Sequence, residues 1–533
     1  MTQLFHSPER NLLVYETSKV ADVVRYVPDA RQLNGSYVAV PKNLHNMQLL
    51  RWLDLPVLPP MADYDWPRAQ GFTPTQAQRT MANFMALHPR SFNLSDMGTM
   101  KTLATLWAAD FIMRQHPEGS CRAVIVAPLS ILQRVWGDAI FRHFLGRRTY
   151  QIVYGDERKR KDLLQQPADF YVINFDGLGV GAQTRRKFEL AGLSAQFRDR
   201  ADIRIAIIDE ASAYRDSRTK RSRIARILFS PERRSYVWFL TGTPTPNGPC
   251  DAYGLARQVN NAFGESFVSF KQRTMIQVSQ YKWIPRAGSN EMARKLLSPA
   301  IRFGIEQVWD GPELTYQQRD VELTPQQREL FKALRNQLQV VVNNEPITPA
   351  NEAAARLKFL QISMGAIYDH AHHSHPVDAS PRFREAEAVI EQTDRKVVIF
   401  VPLTNVLHLL RSHLSKRWSC GVLNGEVSVK DRNELLARFA GNEHPHIILA
   451  DPQTTAHGIN ELVAADTIIW FGPTDKTELF IQGNKRLHRP GQKYPVTVVQ
   501  LVSHAIEREI FRRLENNESQ QGILLRMVKE GKL

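Results

Sequence analysis

A chain of 533 residues exceeds what one hydrophobic core ordinarily holds and predicts about three domains. Lysine and arginine number 69 against 54 aspartate and glutamate; the net charge of +15 draws polyanions and puts nucleic acid first among the partners. A hydrophobic fraction of 43% with 23% charged residues excludes wholesale disorder, and no apolar run approaches the ~18 residues of a membrane span. The N-terminus lacks the layout of a secretory signal, and Cys121, Cys250 and Cys420 are odd in number and far apart. Together these predict a reducing, cytoplasmic setting with no membrane, no disulfide framework and no clustered zinc site.

Residues 1–66 read as a small α+β unit closed by the proline-rich stretch LPVLPPMADYDWP, in which Trp52 and Trp66 are expected as packing residues. Beyond it, short β-branched runs alternate with helical patterns. Strands are predicted at Arg122 to Ala127, Tyr171 to Phe175, Ile205 to Ile208 and Val237 to Thr241, the pattern of a parallel sheet covered by helices. The rhythm restarts at Lys396 to Val401, His446 to Ala450, Asp466 to Phe471 and Val496 to Val502. Between the two sets the pattern is helical. The fold class is α/β, with two RecA-like parallel-sheet lobes at 67–250 and 386–533, a helical insertion at 251–385 and the small domain at 1–66.

The first chemical signal is Ser95 to Thr102, SDMGTMKT, ahead of a helical pattern. Such a loop, here with Gly98 and Thr99, aims backbone N–H groups and a helix dipole at phosphate, while Lys101 offers charge and Thr102 a hydroxyl for Mg²⁺. The usual phosphate-binding pattern has glycine before the lysine; here that residue is Met100, whose φ is expected to be strained. The second signal is the strand running into Asp209-Glu210-Ala211-Ser212. Carboxylates at the C-terminal end of a parallel strand lie where α/β sheets bind ligands; Asp209 would hold Mg²⁺ and Glu210 would polarise the attacking water. Together the two signals predict a nucleoside triphosphatase using Mg²⁺.

At this level of detail the chain resembles a superfamily-two helicase of the Swi/Snf branch, over about Phe72 to Leu514. FTPTQ supplies Gln76 where that family reads adenine, and VIVAPLSILQRVW resembles motif Ia, with Pro128, Ser130 and Trp136 in place. IIDEAS resembles motif II, and LTGTPTPN resembles motif III with Thr241, Gly242, Thr243 and Asn247. The Leu423 to Gly425 turn fits, as does QGNKRLHRPGQ, which resembles motif VI with Gln482, Arg486, His488 and Arg489. The resemblance implies an ATP-dependent double-stranded DNA translocase that remodels or reanneals branched or duplex DNA as a monomer, with replication or recombination proteins as further partners. It implies that Gln482 serves the nucleotide site and that Arg486 and Arg489 act as arginine fingers. Pro128, Ser130, Thr241, Gly242, Thr243, Gly458 and Asn460 would contact DNA backbone or couple it to ATP. A weaker resemblance, to the substrate-recognition domain of HARP-like annealing helicases, covers the N-terminal unit. Two departures stand out besides Met100: Ser212 replaces the histidine of the DEAH pattern, and Glu461 follows Asn460 where an apolar residue is usual.

Two alternatives remain open on the residues: a non-hydrolysing DNA clamp, motivated by Met100, and a strand-separating RNA or DNA helicase. The basic runs Arg215 to Arg223 and Arg158 to Lys161 are candidates for phosphate contact or for solvated faces. His370, His372, His373 and His375 are expected to form a polar loop without metal.

Overall fold

The computed structural model describes residues 2–182, 189–246, 248–278, 283–344, 349–368, 373–441, 443–455 and 459–516. The chain divides into two compact units. One comprises residues 1–245, 249–271 and 288–308, the other 246–248, 272–287 and 309–533.

The first unit opens with strands β1 (Gln3–Ser7), β2 (Leu12–Glu16), β3 (Arg31–Gln32) and β4 (Tyr37–Pro41), in the antiparallel order β1-β2-β4-β3. Helices α1 (Val20–Tyr26) and α2 (Leu44–Trp52) pack on it around Leu13, Tyr15, Val23, Val38, Val40 and Leu50. Trp52 departs from its expected packing role: α2 turns Met47 and Leu50 inward, and Trp52, 70% exposed, meets Tyr26 edge-on at a centroid distance of 5.8 Å. Trp66 is buried, edge-on to Trp107.

Seven parallel strands form the main sheet: β5 (Arg90–Asn93), β6 (Arg122–Ala127), β7 (Tyr150–Ile152), β8 (Phe170–Asn174), β9 (Ile203–Ile208), β10 (Tyr236–Leu240) and, after the hairpin β11 (Met275–Gln277) and β12 (Trp283–Pro285) of the second unit, β13 (Ala300–Ile301). Their order is β13-β5-β10-β9-β6-β8-β7. Strand runs such as IAII and VWFL are apolar at every position because helices cover both faces; β10 is buried at all five residues. In the second unit β14 (Leu314–Asp320), β17 (Lys396–Phe400), β18 (Cys420–Leu423), β19 (Ile447–Ala450), β20 (Ala465–Trp470) and β21 (Val496–Val502) form a parallel sheet in the order β14-β21-β20-β17-β19-β18, and β15 (Ala366–Tyr368) with β16 (Ser374–Pro376) makes a hairpin. The residues between the two sheets contribute a strand to each, β13 and β14, as well as helices such as Pro325–Asn344 and Pro349–Met364. His373 and His375 are exposed on the hairpin, whereas His370 and His372 lie outside the described residues.

A polar clamp fixes the proline-rich segment to the main sheet's helices. In α4 (Lys101–Met113) Asp110 is fully buried; it accepts hydrogen bonds from the Tyr64 hydroxyl at 2.6 Å, Arg148 Nε at 2.6 Å and Arg147. Trp107 Nε1 donates to the Pro67 carbonyl at 2.7 Å. Removing one partner from a buried ionic cluster strands the others, at a cost of about 3–5 kcal/mol. Asp110→Ala should therefore lower the denaturant midpoint of the first unit by that amount of stability; a loss under about 1 kcal/mol in a chemical unfolding curve would contradict the role given to this clamp.

Candidate nucleotide site

The parallel sheet determines where the site forms. Strand β5 leads into Ser95–Thr102, β6 into Pro128–Ser130, β9 into Asp209–Glu210 and β10 into Thr241–Thr243, so four of the predicted segments emerge at one edge. Because β10 lies between β5 and β9, the Thr241 segment sits between the phosphate-loop candidate and the carboxylates.

The loop Asp96–Met100 closes on itself. Thr99 donates both its N–H and its hydroxyl to the Asp96 carbonyl, and Lys101, the first residue of α4, donates through Nζ to the carbonyls of Ser95 at 2.6 Å and Asp96 at 2.7 Å. Thr102 follows in the first turn, partly exposed. Gly98 has φ +85, which glycine adopts freely. Met100 has φ +57 and caps the helix in the left-handed region, 40% exposed. The strain expected there from the sequence is thus located in the backbone. A Cβ on Gly242 would stand 3.3 Å from Met97 N and 3.5 Å from Ser95 O, so glycine lets the Thr241–Thr243 segment approach the loop. Thr241 is buried, its N–H on Asn93 O and its hydroxyl accepting from Thr243 N.

Asp209 ends β9 partly buried, and each of its carboxylate oxygens accepts one N–H. Oδ1 takes the Glu210 backbone N–H at 3.0 Å, and Oδ2 takes Trp136 Nε1 at 3.0 Å. Burial and the adjacent Glu210 charge push the Asp209 carboxyl above the ordinary carboxylate range, while the Lys101 charge and the indole N–H oppose that rise. Glu210 has φ +49, a second left-handed residue beside the same site. Ser212 is buried in the turn that follows. The Asp209 carboxylate and the Thr102 hydroxyl are hard oxygen donors of the kind that hold Mg²⁺ with water completing its shell.

Other predicted residues are placed as follows. Gln76, first residue of α3 (Gln76–Leu87), is exposed, whereas its neighbour Gln78 is buried in a capping box with Thr75. Pro128 is buried and Ser130 half-buried in a short 3₁₀ turn. In the second unit, helix Thr477–Leu487 carries Gln482 and Arg486, both buried. Gln482 Nε2 donates to Glu478, while Arg486 Nε donates to the Thr455 carbonyl at 3.1 Å. Arg489 is partly buried; burial lowers its pKa and the Glu461 charge counters that fall. Asn460 is exposed, its N–H on Glu461 Oε2. Gly458 and Asn247 lie outside the described residues. Of the basic runs, Arg218, which pairs with Asp216, and Lys220 and Arg223 are exposed, with Arg226 beyond the run extending the same exposed face of helix Lys220–Leu228, whereas Arg160 is buried on the carbonyls of Val153 and Gly155 and Lys161 pairs with Glu157.

Residues 81–366 match the SNF2-related domain and residues 382–491 the helicase conserved C-terminal domain, the first match alone spanning more than half of the chain. The chain belongs to the SNF2-related family. It is an ATP-hydrolysing enzyme of the helicase type. This SNF2-related ATPase is 22% identical to protein p41 of Acyrthosiphon pisum secondary endosymbiont phage 1, over 86% of its own length and 99% of that protein. It is 23% identical to mouse chromodomain-helicase-DNA-binding protein 1-like, over 82% of its length and 47% of the relative, and 26% identical to Arabidopsis CHROMATIN REMODELING 4, over 57% and 14%. It thus spans nearly all of the phage protein but less than half of these two eukaryotic ones. Among solved structures, the Sulfolobus solfataricus SWI2/SNF2 ATPase core in complex with dsDNA aligns over 87% of this chain and 95% of that one, with 20% identity and a TM-score of 0.39.

Sequence reasoning placed Trp136 in motif Ia without giving it a task; the signal available was a tryptophan eight residues beyond Pro128, and only the fold brings it to Asp209. A left-handed residue with a Cβ costs about 1–2 kcal/mol. Met100→Gly should therefore be about 1 kcal/mol more stable than Met100→Ala, which retains the Cβ; equal unfolding midpoints for the two variants would show the backbone there to be unstrained.

Proposed function

We propose that this ATPase is a double-stranded DNA translocase that uses Mg-ATP to remodel or reanneal duplex and branched DNA. The observation that carries the reading is the convergence of Lys101, Asp209 and Glu210 at one sheet edge, with the Thr241–Thr243 segment between the two loops that supply them. Lys101 would leave the two carbonyls it holds and neutralise phosphate charge, and the N–H groups of residues 98–102 would donate to phosphate oxygens at the start of α4. Asp209 and Thr102 would hold Mg²⁺, which when bound supplies charge neutralisation at the phosphates. Glu210 would take the proton of the attacking water. Gln76 would face adenine, and Gln482, Arg486 and Arg489 would serve the same nucleotide, the two arginines countering its phosphate charge.

DNA engagement is assigned to the backbone contacts of Pro128, Ser130, Thr241, Gly242, Thr243, Gly458 and Asn460, and to the exposed basic face Arg218, Lys220, Arg223 and Arg226. A grip built on phosphates weakens steeply with salt and is indifferent to sequence. Residues 1–66 carry six Lys and Arg against seven Asp and Glu, so they add no positive field. For that domain we assign engagement of branched DNA through shape and the exposed Trp52–Tyr26 pair, which can stack on unpaired bases.

Lys101→Ala and Glu210→Gln should each reduce DNA-stimulated ATP hydrolysis by at least a hundred-fold while leaving the fold intact; unchanged rates in both purified variants would sink the assignment. The same protein should displace a triplex-forming strand from duplex DNA with ATP without separating the duplex strands. Unwinding of the duplex itself, measured by strand release, would instead favour a strand-separating helicase.

A further inference from the structure

We infer that Trp136 is a positioning residue that ties the turn after β6 to the Asp209 carboxylate, so that what binds at Pro128–Ser130 is felt at the nucleotide site. The inference rests on the proposed reading of Asp209 as the metal-binding carboxylate and deepens it. Four observations support it. Trp136 Nε1 donates to Asp209 Oδ2 at 3.0 Å, and with the Glu210 N–H on Oδ1 this leaves the carboxylate little freedom to rotate. The indole is fully buried in the core with Leu132, Ile140, Ile205 and Ile207, so it cannot shift without moving its neighbours.

The segment that carries it is unusual. Leu132–Gly137 is π-helical, and Asp138 N–H reaches back five residues to the Gln133 carbonyl. Such turns are poorer in energy than an α-helix and recur at functional sites, where the extra residue re-aims a side chain. Here it directs an indole N–H at the strand end. The π-helical turn also follows directly on the 3₁₀ turn Leu129–Ile131, in which Leu129 is 49% exposed and Ser130 half-buried. Pro128, this exposed turn and Trp136 therefore belong to one short helical run, with one end at the surface and the other on Asp209.

A buried indole needs some acceptor in any case. What separates a positioning role from mere satisfaction of that N–H is the consequence for metal and DNA dependence. Trp136→Phe keeps the buried ring and removes only the donor. The expected result is an unfolding midpoint near that of the parent protein, with three other changes. The Mg²⁺ concentration needed for half-maximal binding of a fluorescent ADP rises several-fold. The ATPase rate at saturating duplex DNA falls about ten-fold, and the ratio of DNA-stimulated to basal rate drops towards one. Mg²⁺ titrations and stimulation ratios that superimpose on those of the parent would overturn the inference, provided Lys101→Ala has lost its activity. If Lys101→Ala remains active, the underlying nucleotide-site reading fails, and this inference with it. Should Trp136→Phe not fold, the parent protein labelled with 5-fluorotryptophan gives a second test by ¹⁹F NMR. At least one of its nine tryptophan resonances should shift both with Mg-ADP and, separately, with duplex DNA; no resonance responding to both would equally overturn the proposal.

Discussion

The structure turns on holding a carboxylate where water is scarce. An ionised Asp209 at the end of a buried strand is costly unless hydrogen bonds and a counter-charge favour its charged form. The fold supplies both: an indole N–H from the helical run after β6, a backbone N–H from Glu210, and the Lys101 charge from the first residue of α4. Each donor comes from a different strand of one parallel sheet, so strand order is what makes the chemistry of this edge available. The left-handed backbones of Met100 and Glu210 lie beside it, a concentration of strain that an unspecialised loop would relax.

That edge needs a rigid base. Helix α4 begins at the phosphate-loop candidate and ends inside the polar clamp of Asp110, Tyr64, Arg147 and Arg148. The same segment of chain that joins the N-terminal domain to the main sheet therefore braces the helix whose N-terminus would face phosphate. A comparable device holds the second unit: buried Arg382 pairs with buried Glu507 at 2.6 Å and donates to the Phe471 carbonyl, tying helices Ser380–Ile390 and Ala505–Glu515 to the sheet.

Much of this was legible in the sequence. Apolar β-branched runs gave the central strands to within two residues, and Asp209–Glu210 and Lys101–Thr102 were identified at strand-to-helix junctions because carboxylates and Lys-Thr in those places have few other uses. Two strands near the sheet borders, β5 beside the short edge strand β13 and β14 at the edge itself, were not legible. RSFN of β5 hides Ser91 and Asn93 inside the sheet, and LTYQQRD of β14 is polar because it lies at the border; neither shows the pattern of a strand. Trp52 was misread because hydrophobicity predicts burial only on average, and the face α2 turns inward is set by tertiary contacts. The Trp136–Asp209 hydrogen bond joins residues 73 apart and depends on an irregular helix that no periodicity reveals.

The net charge of +15 first indicated only a polyanionic partner. With residues 1–66 nearly neutral, the excess belongs to the rest of the chain, where an exposed face around Lys220–Leu228 follows the carboxylates directly. The proposed reading joins phosphate binding and ATP hydrolysis in one unit, and its central claim is that duplex DNA drives the chemistry. The most direct test is the ATPase rate of the unmodified protein at fixed salt with duplex, forked and single-stranded DNA and with RNA. The account predicts that duplex-containing DNA stimulates most and that the rate rises with duplex length; a rate independent of nucleic acid, or highest with RNA, would contradict it.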